Sequence, residues 1–327
     1  MAERATVFQT VQVGVESTYG TSVAASKLLQ SMSIEPNIQA DVKTFRPSGQ
    51  KFNTVAALGK EWSAGKLSGM ATYTEIIYAL ASALKKPTPT TPGGTTPRLW
   101  TFDSAPSAAD TIASYTVEQG SAERAHKVTG LVIPEFGMDF SRDAVSINGS
   151  TLARAVTDGI TLTAAPTAIA LLPILPTAVS VKLADTQAGL AGASVLSRAL
   201  SASWNIGNRF GPLWTLDSTQ TSFAALVEMV PSGGAKLKVE ADAAGMGLLT
   251  QLRSGATKFM RIAATGDQIE TTYYYSIQID LALKVTKVSD FSDADGVYAV
   301  EWEFELAKDS TWGKAIEVQV QNIATAL

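Results

Sequence analysis

The sequence contains no cysteine and a single histidine, His126. The missing thiols exclude disulfides, thiol catalysis and cysteine-ligated zinc, and one histidine cannot build a multi-histidine metal site. Lysine and arginine number 26 against 30 aspartate and glutamate residues, which gives a formal net charge of −4. The chain therefore lacks the basic excess that supports tight nucleic-acid binding or attraction to an anionic membrane.

Long apolar runs are missing as well. The longest, from Thr167 to Val181, contains Pro173 and Pro176 and is too short to span a bilayer. The first residues lead into Thr6 without the apolar core of a secretory signal. The sequence therefore predicts a soluble protein with no membrane partner, made in the cytoplasm.

What the sequence does contain is enough apolar material for a sizeable core. The 327 residues are 46% hydrophobic and 17% charged. This balance is typical of a globular protein, and the length is sufficient for two domains of ordinary size.

The clearest pattern is a long alternation of apolar and polar residues near the end of the chain. Between residues 275 and 286 the odd positions are apolar, and between 297 and 307 the even positions are apolar. Alternation with a period of two predicts two β-strands, each with one buried and one solvent-exposed face. Asp295-Gly296 lies between them and predicts the hairpin turn. Each strand would measure roughly 36 Å.

Two helices are predicted from their start and stop signals. Thr72 and Glu75 match a capping box at the start of the first, and Pro87 ends it. The second would start at about Asp242 as its N-cap and stop at Gly255.

The order of these elements occurs twice, about 150–170 residues apart. Residues 199–206 resemble residues 32–38, residues 236–239 resemble 66–69, and each series ends in a hairpin, 127–153 in the first half. We interpret this order as a diverged internal duplication. The predicted division is an N-terminal arm at 1–30, a first domain at 31–160, a linker at 161–197 and a second domain at 198–327.

No catalytic, cofactor-binding or metal-binding constellation is visible. Residues 290–302 resemble a calcium loop, but Phe291 and Trp302 occupy the positions of the first ligand and of the bidentate glutamate. His126 has no nucleophile at a recognisable spacing. Neither an enzyme activity nor a cofactor is predicted.

Several segments resemble siphophage major tail tube proteins, a two-domain phage tail tube family. The segments that carry the resemblance are Phe8 to Thr21, Arg198 to Ser201, Ile206 to Phe210, Asp280, Asp295 to Trp302, Asp309, Gly313 to Ala315 and Asn322. These segments follow the family's order, and the resemblance extends over nearly the whole chain.

The resemblance implies an α+β, mainly β fold. It would comprise two tandem β-sandwich domains, each with a flanking α-helix, whose long hairpins line a tube. It further implies a structural virion protein in the phage tail that forms homotrimeric rings of pseudo-six-fold symmetry, which stack into a hollow tube. The expected partners are other copies of the chain, a tape measure protein, tail terminator and tip proteins, and double-stranded DNA that passes non-specifically during genome delivery.

The dimensions of such a tube are consistent with this function. With the family's four lumen-lining strands per domain, three chains of two domains supply about 24 strands, and at ~4.8 Å spacing and ~40° tilt the diameter is ~48 Å. Removing ~5 Å of side chain on each side leaves about 38 Å, which admits a DNA duplex. The polar residues expected to face the lumen, mainly as a repelling negative wall, are Gln278, Asp280, Lys284, Glu301, Glu303 and Glu305.

Two alternatives from other classes remain open. A capsid-decorating or carbohydrate-binding β-sandwich module would form a discrete monomer or trimer with an aromatic surface platform, whereas Trp302 falls on the buried side of its strand. An enzyme with a dispersed carboxylate pair is the other alternative, and no local spacing argues for it.

Overall fold

The structure is a computed structural model that describes residues 6–243 and 245–327. The fold is α+β and mainly β, as the sequence predicted. Its strands are β1 Thr10–Val15, β2 Lys27–Leu29, β3 Met32–Glu35, β4 Ile38–Phe45, β5 Val55–Met70, β6 Arg98–Asp103, β7 Tyr115–Gly120, β8 Ala125–Phe140, β9 Val145–Ala153, β10 Thr157–Ile160, β11 Thr167–Ala168, β12 Val179–Ala184, β13 Ala199–Gly207, β14 Phe210–Leu213, β15 Ala225–Glu228, β16 Ser232–Glu240, β17 Thr257–Glu270, β18 Tyr273–Val288, β19 Ser292–Ala294, β20 Val297–Leu306 and β21 Ile316–Asn322. The helices are α1 Ile76–Ala83 and α2 Leu249–Ser254, with 3-10 turns at Thr6–Phe8, Pro176–Ala178, Ala188–Leu190 and Gly245–Leu248.

One strand-pairing scheme occurs twice in the chain. The first four-strand unit has the spatial order β3, β5, β9, β8. The second four-strand unit has the order β13, β16, β20, β18. Outside them, β7 pairs with β8 and β1 with β7, just as β17 pairs with β18 and β12 with β17. All these pairings are antiparallel, so the two halves share the same topology.

The two units are joined into one sheet by β8 and β13. Residues 136–140 of β8 pair antiparallel with residues 202–206 of β13, which places eight strands side by side. Strands β1 and β12 lie in the segments predicted as arm and linker, and each belongs to the sheet of its own half. The proposed domain boundaries stay a prediction.

The apolar alternation of the long strands is confirmed. Val300, Trp302 and Phe304 of β20 are buried, and so are the odd positions of β18 from Ile277 to Val285. Helix α1 is buried along its whole length and lies on β8, and a single large core cluster takes residues from both halves. The apolar face of the eight-stranded sheet therefore belongs to the core.

The two long strands pair with each other over less of their length than the sequence suggested. Only residues 283–288 of β18 lie opposite β20, at residues 302–306. Residues 276–281 of β18 pair with β21 instead. The turn itself is confirmed: Asp295 and Gly296 have φ of 53° and 83°, and Ala294 pairs with Val297, as in a two-residue hairpin with both central residues at positive φ.

The helix signals were only partly correct. Thr72 Oγ1 accepts a hydrogen bond from the Glu75 amide at 3.1 Å, but the Glu75 carboxylate does not complete a capping box. It is fully buried and accepts from the amides of residues 30–32, so it fixes the chain before β3 to the helix. In the second half, Gly255 closes α2 at φ 66°, as expected. Asp242 Oδ1 accepts from the Gly245 amide, but the turn that follows it is the 3-10 turn Gly245–Leu248, and α2 begins only at Leu249.

Candidate functional site

The eight-stranded sheet has a second face that is polar from one end to the other. We call it the polar face and define it by side chains that alternate with the buried residues of each strand. All of them are exposed or half-buried. They are Ser33 and Glu35 of β3, Lys66 and Ser68 of β5, Glu135 and Asp139 of β8, Ser146, Asn148 and Ser150 of β9, Ser201, Ser203 and Asn205 of β13, Lys236 and Lys238 of β16, Lys284 and Lys287 of β18, and Glu301, Glu303 and Glu305 of β20.

Strand register places these side chains in rows across the sheet. One row runs through Asp139, Ser203, Lys236, Glu303 and Lys287, each directly opposite the next. Directly opposite residues on neighbouring strands have Cβ atoms about 5 Å apart, so charges in one row interact. The row crosses the junction of the two units, which makes the polar face one continuous surface.

Lysines pair with two of the three glutamates that follow one another along β20. The Lys236 ammonium lies 3.6 Å from Glu301 Oε1 and 3.5 Å from Glu303 Oε1, and Lys287 Nζ lies 3.4 Å from Glu303 Oε1. The hydrogen bond from Lys287, together with both lysine charges, lowers the pKa of Glu303. The polar face carries six acidic residues against five lysines. The expectation that Lys284 alone would offset these acids lightly does not hold on this face, because the adjacent strand β16 supplies Lys236 beside Glu301 and Glu303.

Four of the six predicted lumen residues come together on this face. Glu301, Glu303 and Glu305 follow one another along β20, and Lys284 lies directly opposite Glu305. Gln278 and Asp280 lie further along β18, where that strand pairs with β17 and β21.

Asp280 differs most from the prediction. Its carboxylate is buried and accepts two hydrogen bonds from Arg261, Nε to Oδ1 and Nη2 to Oδ2, both at 2.7 Å. Gln187 and Gln278 donate to Oδ2 from either side, at 3.1 and 3.2 Å. Asp280 therefore serves an internal ion pair and is not part of an open surface.

The remaining members of the polar face were not singled out from the sequence. The alternation in Lys66-Leu67-Ser68 and in Lys236-Leu237-Lys238 contains the signal, since Leu67 and Leu237 are buried. Which strands lie side by side is not visible in a sequence, so the lysines of β16 could not be placed beside the glutamates of β20.

Within residues 6–243 and 245–327 no group of three or more potential ligand side chains is placed to hold a metal ion. His126 lies between Gln119 of β7 and Asp158 of β10, and burial lowers its pKa although the Asp158 charge opposes this. In the same described residues, no helix is long and apolar enough to cross a membrane.

Comparison with known proteins gives distant structural likenesses and no match of sequence. No family model matches the chain, and no curated protein gives a significant match. Among solved structures, the SPP1 tail tube determined by solid-state NMR and cryo-EM aligns with a TM-score of 0.33 and 12% identity. The alignment covers 47% of this chain and 82% of the other. A likeness of this size carries no functional argument, and it assigns the chain to no family.

Proposed function

We propose that this chain is a structural subunit of a phage tail that assembles with copies of itself into stacked rings, forming a hollow tube. The observation that carries the proposal is the continuous eight-stranded sheet with a core on one face and polar side chains on the other. A sheet of this kind is suited to line a water-filled channel, because its apolar face is already covered within the chain.

The strand count supports rings of three copies. One chain contributes eight adjacent strands, built from two units of identical topology. Three chains would supply the roughly 24 strands that a wall around a DNA duplex requires. Because each chain contains the same unit twice, a ring of three would present six similar units around its axis.

The near balance of charge on the polar face is consistent with a passage for DNA. A wall rich in lysine would bind phosphates tightly, and each contact would slow the passage of a duplex. Here two of the five lysines, Lys236 and Lys287, are paired with Glu303. In this proposal the tube also contacts a tape measure protein during assembly and terminator and tip proteins at its ends.

Electron microscopy of the purified protein tests the proposal directly. Concentrated protein in negative stain should form hollow tubes whose rings show three-fold symmetry and a lumen of about 40 Å. Light scattering on the same sample should show a concentration-dependent increase in mass. A protein that stays a discrete monomer or trimer at all concentrations would contradict the proposal and favour the decorating or carbohydrate-binding module.

A further inference from the structure

The duplicated sheet has two open edges whose counterparts are paired inside the chain. In the described residues, β3 pairs on one side only, with β5. In the same part of the chain, β18 pairs with β17 only up to Lys284, so residues 285–294 face no strand on that side. The corresponding stretch of β8 is covered by β13, and β13 is the counterpart of β3.

The correspondence between the two units is fixed by matching hydrogen bonds. The Ala71 amide donates to Val145 O at 2.9 Å, and the Ala241 amide donates to Tyr298 O at 2.8 Å. Val145 therefore corresponds to Tyr298, and by strand register Met138 corresponds to Phe291 and Asp139 to Ser292. On the other edge, Glu35 corresponds to Ser203, since they lie opposite Lys66 and Lys236.

Burial differs sharply between these counterparts. Met138 and Val145 are 0% exposed, whereas Phe291 is 63% and Tyr298 77% exposed. The two aromatic rings contact each other edge to face at 6.2 Å, at the tip of the β19–β20 hairpin. In the first unit, Trp204 of β13 lies directly opposite Met138. The second unit thus exposes an aromatic pair at the place where the first unit is covered.

The β3 edge shows the complementary difference. Ile206 is 3% exposed within the β8–β13 junction, and its counterpart Ile38 is 61% exposed. Large apolar side chains on open strand edges favour association with another strand. Each edge therefore exposes the apolar residues that the internal junction buries.

We propose that residues 285–294 of one copy pair antiparallel with the β3 edge of a second copy, in the register of the β8–β13 junction. Ser292 then lies opposite Glu35 of the second copy, and Phe291 lies opposite its Pro36, on the same face as Ile38 two residues further along that edge. The contact joins two different surfaces head to tail, and such a contact closes a ring of three when each copy is rotated by a third of a turn from the last. This inference rests on the proposed function and names the surfaces through which the copies meet.

Engineered cysteines test the register, because the chain has no cysteine of its own and any disulfide must therefore join the introduced residues. Two single variants, Glu35→Cys and Ser292→Cys, are prepared and oxidised under mild conditions, alone and mixed. Directly opposite residues are close enough for a disulfide after small adjustments. Non-reducing electrophoresis should show linked dimers in the mixture and little in either variant alone. A chain that carries both Glu35→Cys and Ser292→Cys should give trimers linked by disulfides.

Removing the aromatic pair tests its role. Phe291→Ala combined with Tyr298→Ala should raise the protein concentration needed for assembly by roughly tenfold or more, as for a central aromatic anchor. The melting temperature of the unassembled protein should stay the same, because both rings are exposed there. Tyr274→Ala, an exposed tyrosine elsewhere on β18, is the matched control and should assemble normally.

The outcomes separate this inference from the proposed function. Normal tubes from the variant that combines Phe291→Ala with Tyr298→Ala would overturn the proposed contact while leaving the tube intact. Tubes in which the cysteines introduced by Glu35→Cys and Ser292→Cys form no disulfide would do the same. Wild-type protein that never assembles would remove the proposed function itself. A disulfide in the mixed sample together with weakened assembly of the aromatic variant supports the contact.

Discussion

Arg209 and Asp110 form a buried ion pair that links the two halves of the chain. Arg209 Nη2 lies 2.6 Å from Asp110 Oδ2, and both side chains are 1% exposed. The same guanidinium donates from Nε to Ala83 O and from Nη2 to Leu84 O, at the C-terminus of α1. Helix C-termini leave carbonyl groups without intrahelical partners and favour a nearby cation. One residue between β13 and β14 therefore caps the helix of the first half.

Arg209→Ala should lower the free energy of unfolding by about 3–5 kcal/mol, because it leaves the Asp110 carboxylate buried without this partner. Arg124→Ala is the matched control. It also removes an arginine–aspartate pair, with Asp158, but both side chains are more than half exposed. Its cost should be only about 0–1 kcal/mol. Urea denaturation of unassembled protein measures both, and equal losses would contradict the assigned role.

Trp302 tests the buried side of the β20 strand. Its indole is fully buried, and Nε1 donates to Gly245 O at 2.9 Å. Trp302→Ala should cost about 3–5 kcal/mol through the cavity it leaves. Trp302→Phe should cost less, since it keeps a ring and loses mainly the hydrogen bond. Thermal melts of the unassembled protein provide the measurement, and a Trp302→Ala variant that melts like wild type would refute the strand's assigned orientation.

Buried tyrosines predict loss of stability in alkaline solution. Burial raises the pKa of Tyr73 and Tyr78 to about 12, with smaller contributions from the Asp267 and Glu75 charges, and burial also raises the pKa of Tyr115. A folded-state pKa above the unfolded value of about 10 means that the unfolded state loses its proton first as the pH rises. The stabilising effect is complete below pH 10 and is lost between about pH 10 and 12.

Two measurements check this pH dependence. The free energy of unfolding from urea titrations should fall from about pH 10 upward. Tyr78→Phe should reduce the slope, because the variant has one buried phenol fewer. Ultraviolet titration of the tyrosines should show a fraction that ionises only as the protein unfolds. A slope that Tyr78→Phe leaves unchanged would show that other groups cause the loss.

The elements that local pattern determines were predictable. The alternation of β18 and β20, the positive-φ turn at Asp295 and Gly296, and the cap at Asp242 each depend on residues close together in sequence. Local chemistry decides such features, because strand faces and turns follow from neighbouring side chains.

The features that depend on distant neighbours were missed. Asp280 is polar at an expected wet position, yet Arg261 of β17 pairs with it and buries it. Glu75 matched a local capping box, but the amides before β3 take its carboxylate. The lysines of β16 lie beside the glutamates of β20 because the two strands are neighbours in the sheet, which is not encoded in local sequence. In each case tertiary contacts overrode a correct local pattern, which no single-sequence argument could foresee.

The polar face should not hold duplex DNA at physiological salt, since its six acids outnumber its five lysines. Changing Glu301, Glu303 and Glu305 to lysine leaves three acids against eight lysines. Assembled tubes of this variant should bind duplex DNA with a logarithmic salt slope of about −2 to −3, at roughly 0.9 per phosphate contacted. The control carries the same charge change at exposed residues outside the polar face, Glu123, Asp143 and Asp185. Anisotropy of a labelled duplex across a salt series measures both, and equal binding by the two variants would show that the polar face does not line the passage.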